Sequence, residues 1–133
     1  MRKVVQTDGA PRAIGAYSQA IVADGWVWVS GQIALDPAGG ELVQGDVEAE
    51  TGRVMKNLTA VLEAAGSGLD HVVRATIYLT DLGDFDAVNR IYGSHFAESA
   101  PARACVEVSR LPRGARVEID AVAQVVSAEE GGG

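Results

Sequence analysis

The chain is poor in the residues that build covalent and metal staples: its 133 residues include one cysteine, Cys105, and two histidines, His71 and His95. A single thiol excludes an internal disulfide and fits a reducing compartment. Neither histidine has a second cysteine or an HExxH arrangement beside it, so the usual zinc spacings are missing and no metal site is expected. Positive charge is scarce as well. Eleven Lys and Arg stand against eighteen Asp and Glu, a net charge of −7, which repels a polyanion and makes nucleic acid an unfavourable partner. No apolar run approaches the ~20 residues that a membrane-spanning helix needs. Behind Arg2 and Lys3 the segment to Pro11 has no apolar stretch, so it does not read as a secretory signal, and a cytoplasmic location is expected.

Apolar residues make up 47% of the chain and charged ones 22%, which is ordinary globular usage. The length suits one domain with its own core. That domain is expected over residues 1–126, with 127–133 as a disordered tail. Val27 and Val29 alternate with Trp26, Trp28 and Ser30, a strand pattern running into Gly31. Tyr17 to Val22 is a plausible partner strand, and Asp24-Gly25 between them suits a two-residue hairpin turn. After the loop Asp36 to Gly40, Asp46 can cap a helix whose apolar positions are Val47, Val54, Leu58, Val61, Leu62 and Ala65, ended by Gly66. His71 to Thr80 alternates again, with Val73, Ala75, Ile77 and Leu79 on one side. Phe85, Val88, Ile91, Tyr92 and Phe96 stripe a second helix, capped by Asp84 or Asp81. Arg103 to Val108 and Arg116 to Val125 complete the strands, and Leu111 to Gly114 suits a tight connection between them.

Two helices can cover only one face of a sheet of five or six strands. The other face mixes Trp28, Cys105 and Val122 with Arg103 and Glu118, and a subunit interface explains that mixture best. If the apolar set of each strand faces the helices, Arg103, Cys105 and Glu118 share the opposite face. An arginine fork matches a carboxylate with two parallel hydrogen bonds, so Arg103 is a natural anchor for an acid; it can equally pair with Glu107, Glu118 or Asp120. A partly buried carboxylate such as Glu118 can move protons near neutral pH, or it can simply neutralise Arg103. Cys105 lacks a nearby histidine and reads as a small apolar residue before a nucleophile. Tyr17, Ser30, Gly31 and Asn89 admit both ligand contact and ordinary turn, packing or surface roles.

The segments AIGAYSQA, SGQI, DLGDFDAVN, PARACVEV and VEIDAVA resemble, in order and spacing, the signatures of the Rid family of reactive intermediate deaminases, over about residues 10 to 125. The resemblance implies an α+β, chorismate-mutase-like domain, a mostly antiparallel sheet of about six strands with two helices on one face. It implies homotrimers with sites between subunits. In such a site Arg103 binds the substrate carboxylate and Glu118 positions or activates water, while Tyr17, Ser30, Gly31, Asn89 and Cys105 line the cleft, Cys105 mainly through its backbone. The implied reaction is hydrolysis of 2-aminoacrylate and 2-iminobutanoate to 2-keto acids and ammonia, with no cofactor and no metal. Ala16 departs from the family, which commonly has Pro there, and that should loosen the loop carrying Tyr17. Two other functions compete: a regulatory protein that binds a keto acid without turnover, and a ribonuclease or translation inhibitor, which the acidic balance disfavours.

Overall fold

A computed structural model describes residues 2–126, so the expected tail at 127–133 lies outside the described residues. The elements are β1 (Arg2–Val5), β2 (Ala20–Ala23), β3 (Trp26–Gln32), α1 (Val47–Ala64), β4 (Val72–Leu79), α2 (Phe85–Ser94), β5 (Ala102–Glu107) and β6 (Val117–Gln124). They form one six-stranded sheet in the order β1-β2-β3-β6-β4-β5. Every pairing is antiparallel except β4 with β5. The expected α+β architecture is borne out.

Local chemistry explains most of these elements. Asp24 and Gly25 both have positive φ, 51° and 82°, the conformation of the tight turn whose twist matches a hairpin. Asp46 accepts a hydrogen bond from the Ala49 amide at 2.9 Å and starts α1. Gly66, at φ 81°, ends it, as a left-handed residue after a helix does. At α2 the cap is divided: Asp81 accepts from the Gly83 amide and shapes the turn ahead of the helix, whereas Asp84 makes no side-chain cap.

The core forms where α1 and α2 lie on one sheet face. Val54, Leu58 and Leu62 from α1 and Val88 and Tyr92 from α2 join Val27, Val29, Ala75, Ile77, Ile119 and Ala121 in one buried cluster. On the other face Trp28 is 54% exposed and Val106 42%. Apolar surface there has no covering layer among the described residues.

Three local expectations need correction, and one strand is additional. The additional strand is β1, whose RKVV is too short and too charged to show an alternating pattern. β2 begins at Ala20 and not at Tyr17. In β4, Val72 is buried and Val73 exposed, because the ladder with β6 shifts between Val72 and Arg74; one extra residue reverses the facing of everything before it. Finally, β5 and β6 are not neighbours: β4 stands between them, and residues 108–116 cross from the sheet edge to its middle, with a helical turn at Pro112–Gly114.

The shifted register is directly testable. Leu62 is fully buried, so Leu62→Ala is expected to cost ~2–5 kcal/mol in denaturant unfolding. Val73→Ala, at the extra residue, is expected to cost about 0.5 kcal/mol or less. Comparable losses at both positions would show Val73 to be inside.

Candidate functional site

Strand β3 carries its own irregularity. Val29 pairs with Ala121 and Gln32 with Ile119, so Ser30 and Gly31 stand against the single residue Asp120. Such a bulge bends the strand and brings its backbone close to a neighbouring side chain. Here the neighbour is Glu118. A Cβ on Gly31 would lie 2.7 Å from the Glu118 carboxyl carbon, and no real Cβ contact is that close. A side chain at position 31 would displace the Glu118 carboxylate, which rests on the Gly31 backbone.

Glu118 opens into a cavity of about 420 Å³, whose lining includes Arg12, Tyr17, Gly31, Leu35 and Arg113. Buried polar side chains hold its walls. Gln19, 1% exposed, accepts from the Thr7 amide at 2.7 Å and donates to the Thr7 and Pro11 carbonyls at 3.0 and 2.8 Å. Asn57, equally buried, donates to the carbonyls of Ile33 and Leu35 at 3.1 and 3.0 Å. Ser30 donates its hydroxyl to the Ser18 carbonyl at 2.6 Å, which fixes the chain next to Tyr17. The Tyr17 ring is 54% exposed, and its hydroxyl accepts from the Ile14 amide at 3.4 Å. Burial pushes the Glu118 carboxyl above its ordinary range, and the Asp120 charge adds to the shift. Asp120 is itself engaged, accepting from the Tyr78 hydroxyl at 2.9 Å.

Arg103 is elsewhere. In the register of β5 it pairs with Ala75, and Cys105 pairs with Ile77; both partners belong to the core beneath the helices. Glu118 pairs with Tyr78 on the opposite face. The expectation that Arg103 and Cys105 share a face with Glu118 is therefore wrong. It assumed that the apolar set of every strand turns toward the helices. On β5 the open face takes Val106, while α2 offers a surface that accepts a cation: Asn89 takes a hydrogen bond from Arg103 Nη1 at 2.6 Å, and the guanidinium lies over the rings of Phe85 and Tyr92 at 5.5 and 5.3 Å.

No carboxylate neutralises Arg103 among the described residues, where the ion pairs are Arg90 with Glu48 and Arg116 with Glu50. The pairing alternatives fail individually too, since Glu107 accepts from the Leu82 amide at 2.8 Å and Glu118 and Asp120 face the other way. Arg103 is thus oriented without being cancelled, the state in which an arginine binds an anion. Cys105 packs against the core, and burial pushes its thiol up while the Arg103 charge opposes the shift. A raised thiol pKa disfavours the thiolate that a nucleophile needs. No group of three or more His, Cys, Asp or Glu side chains is placed to hold a metal among the described residues, and no helix there is long and apolar enough to cross a membrane.

Gln19, Glu50 and Asn57 were missed from the sequence. For two of them a signal existed: Glu50 and Asn57 fall within the helical repeat that carries Val47, Val54 and Leu58 inward. A polar residue on an apolar stripe announces a buried partner. Glu50 accepts from the Arg116 amide at 3.0 Å and pairs with its guanidinium.

The desolvated Glu118 carboxylate has a consequence for stability. Its folded pKa lies above the ordinary value of 4.5, so the folded state holds the proton more tightly than the unfolded chain. The resulting stabilisation is present below that ordinary value and is lost as pH rises through the folded pKa. Glu118→Gln is therefore expected to melt above the native protein at pH ~7, the advantage fading below pH ~4. A variant that melts lower at neutral pH would contradict this.

Comparison with known proteins agrees with the fold. The chain matches the family described as Endoribonuclease L-PSP over residues 7–125. It is 59% identical over 124 residues to protein DfrA of Myxococcus xanthus, covering 92% of this chain and 95% of that protein. A 2-iminobutanoate/2-iminopropanoate deaminase of Rattus norvegicus is 49% identical, with 92% of this chain and 90% of that one covered. Among solved structures, E. coli TdcF with bound serine superimposes with a TM-score of 0.88 at 37% identity, over 92% of this chain and 98% of that one. With that extent of agreement in sequence and in fold, the chain belongs to the Endoribonuclease L-PSP family, the Rid family that its motifs resemble.

Proposed function

We propose that the protein hydrolyses small 2-imino acids and their enamine tautomers, 2-aminoacrylate and 2-iminobutanoate among them, to 2-keto acids and ammonia, in the cytoplasm and without a cofactor or metal. The observation that carries this reading is Arg103, a cation fixed by Asn89 and two aromatic rings with no carboxylate against it. Its fork takes the carboxylate common to these substrates. Relatives named as imino-acid deaminases, and a neighbour holding serine, are consistent with a ligand of that size.

Glu118 supplies the proton chemistry. As a carboxylate it removes a proton from a water molecule whose oxygen adds to the carbon of the protonated imine, which an enamine reaches by taking a proton from solvent on its terminal carbon. The resulting tetrahedral adduct carries the amine and the new hydroxyl on one carbon. Glu118 returns the proton to nitrogen, the C–N bond breaks to release ammonia, and the hydroxyl gives its proton to the Glu118 carboxylate as it becomes the ketone oxygen. A carboxyl with a raised pKa is better matched to this two-way transfer near neutrality than an ordinary one. Tyr17 and Gly31 border the same cavity, Ser30 holds its loop, and the Cys105 backbone and Asn89 border the Arg103 side.

Arg103 and Glu118 lie on opposite faces of the sheet, so one copy does not bring them together. We infer a homotrimer in which the open face carrying Trp28, Tyr78 and Val106 packs against a second copy, whose Arg103 edge closes the Glu118 cavity. Closed rings are the usual result of such self-association. The family description also names a ribonuclease. A chain of net charge −7 and a cavity lined by one carboxylate and no histidine offer RNA cleavage little electrostatic or acid–base support. A keto-acid-binding role without turnover would use the same cations but would not need Glu118 to transfer a proton.

With imines generated in situ by a threonine or serine dehydratase, the native protein is expected to accelerate keto-acid release. Arg103→Ala should lower kcat/KM about 10- to 100-fold, the loss of a charge-assisted contact. Release no faster than in buffer, from folded protein, would refute the activity.

A further inference from the structure

In a single copy the cavity beside Glu118 is larger than a three- or four-carbon imino acid fills: at about 420 Å³ it falls in the ~300–1,000 Å³ range of pockets that take drug-sized ligands. Its wall is not uniform. Ile14, Ile33, Leu35 and Pro112 make an apolar stretch, and Arg12 and Arg113 carry two positive charges against the single negative charge of Glu118. In a chain of net charge −7, a lining with an excess of cations is a local reversal. Neither arginine is among the ion pairs of the described residues.

Arg113 is also held in a conformation that its residue type disfavours. Its φ is 62°, and Asp24 is the other non-glycine residue with positive φ among those described. The hairpin turn accounts for Asp24. Nothing in the strand pairing accounts for Arg113, which sits in the loop that enters β6 and donates from Nη2 to the Gly40 carbonyl at 3.0 Å. A left-handed arginine costs of order 1–3 kcal/mol and persists where the surroundings impose it, most often at ligand sites.

We propose that this cavity selects imino acids whose side chain ends in a carboxylate, with Arg12 and Arg113 reading that second charge. The inference rests on the deaminase reading above. Arg103 of one copy holds the α-carboxylate, the imine carbon faces Glu118 of the next, and the side chain extends along the apolar wall to the two guanidinium groups. The substrate class is then the imines of acidic amino acids. Arg12 and Arg113 are specificity-determining residues, and the hydrolytic step itself is unchanged.

The test compares 2-iminoglutarate, supplied by an L-glutamate oxidase with catalase, with 2-iminobutanoate, supplied by a threonine dehydratase. It uses the native protein, the double variant Arg12→Gln/Arg113→Gln, and the charge-retaining double variant Arg12→Lys/Arg113→Lys. Titration calorimetry with the products 2-oxoglutarate and 2-oxobutanoate runs in parallel. The glutamine pair is expected to lower the diacid-to-monoacid ratio of kcat/KM, and of affinity, about tenfold or more, and the lysine pair to restore most of it. A ratio within about twofold of native in the glutamine pair would overturn the proposal. If the native protein hydrolyses neither imine, the deaminase reading fails and calorimetry decides: a 2-oxoglutarate preference lost in the glutamine pair upholds the second-charge site, and equal affinities overturn it.

Discussion

Two helices span less width than six strands, and the sheet therefore has one covered face and one open face. Everything at the site is arranged around that division. The covered face holds the core, and at its β5 edge the α2 side chains Phe85, Asn89 and Tyr92 hold Arg103 in place. On the open face Trp28 and Val106 stay exposed, and Glu118 rests on the bulge at Gly31. The proposed anion anchor and the proposed proton carrier thus sit on opposite sides of one sheet. A second copy that covers the apolar open face would also bring the two groups into reach, so burial and chemistry favour the same association.

Polar side chains inside the core keep the cavity walls where they are. Gln19 ties residues 7–11 to the start of β2 and Asn57 ties Ile33 and Leu35 to α1. Glu50, 1% exposed, is matched by the amide and guanidinium of Arg116. Each is a group whose hydrogen bonds are replaced inside the protein, and each would be costly to leave unpaired. Together they turn three loops into fixed walls, which a site built largely on loops needs if its groups are to keep their geometry.

The sequence carried the strong periodic features well. The hairpin at Asp24-Gly25, the cap at Asp46, the stripe of α1 and the single covered face all follow from local rules that the structure obeys. The failures share one cause: each depends on a partner that the local pattern does not contain. The extra residue at Val73 exists only relative to β6, and the bulge at Ser30-Gly31 only relative to Asp120. Arg103 and Cys105 were placed on the wrong face because alternation identifies two faces but not which one the helices occupy, and on edge strand β5 both faces present apolar residues. The segments resembling the Rid family single out Arg103 and Glu118 as candidates, while which face each occupies required the strand register.

The central claim is that the Arg103 half and the Glu118 half belong to one site made by two copies of the chain. Mixing impaired variants tests it most directly: Arg103→Ala and Glu118→Ala subunits are unfolded together, refolded at equal ratio, and assayed for imine hydrolysis once mixed oligomers are verified. Sites shared between subunits predict recovery to about one quarter of native activity, the fraction of interfaces that pair an intact Arg103 with an intact Glu118 in a random ring. Mixed oligomers as inactive as either parent would contradict the account.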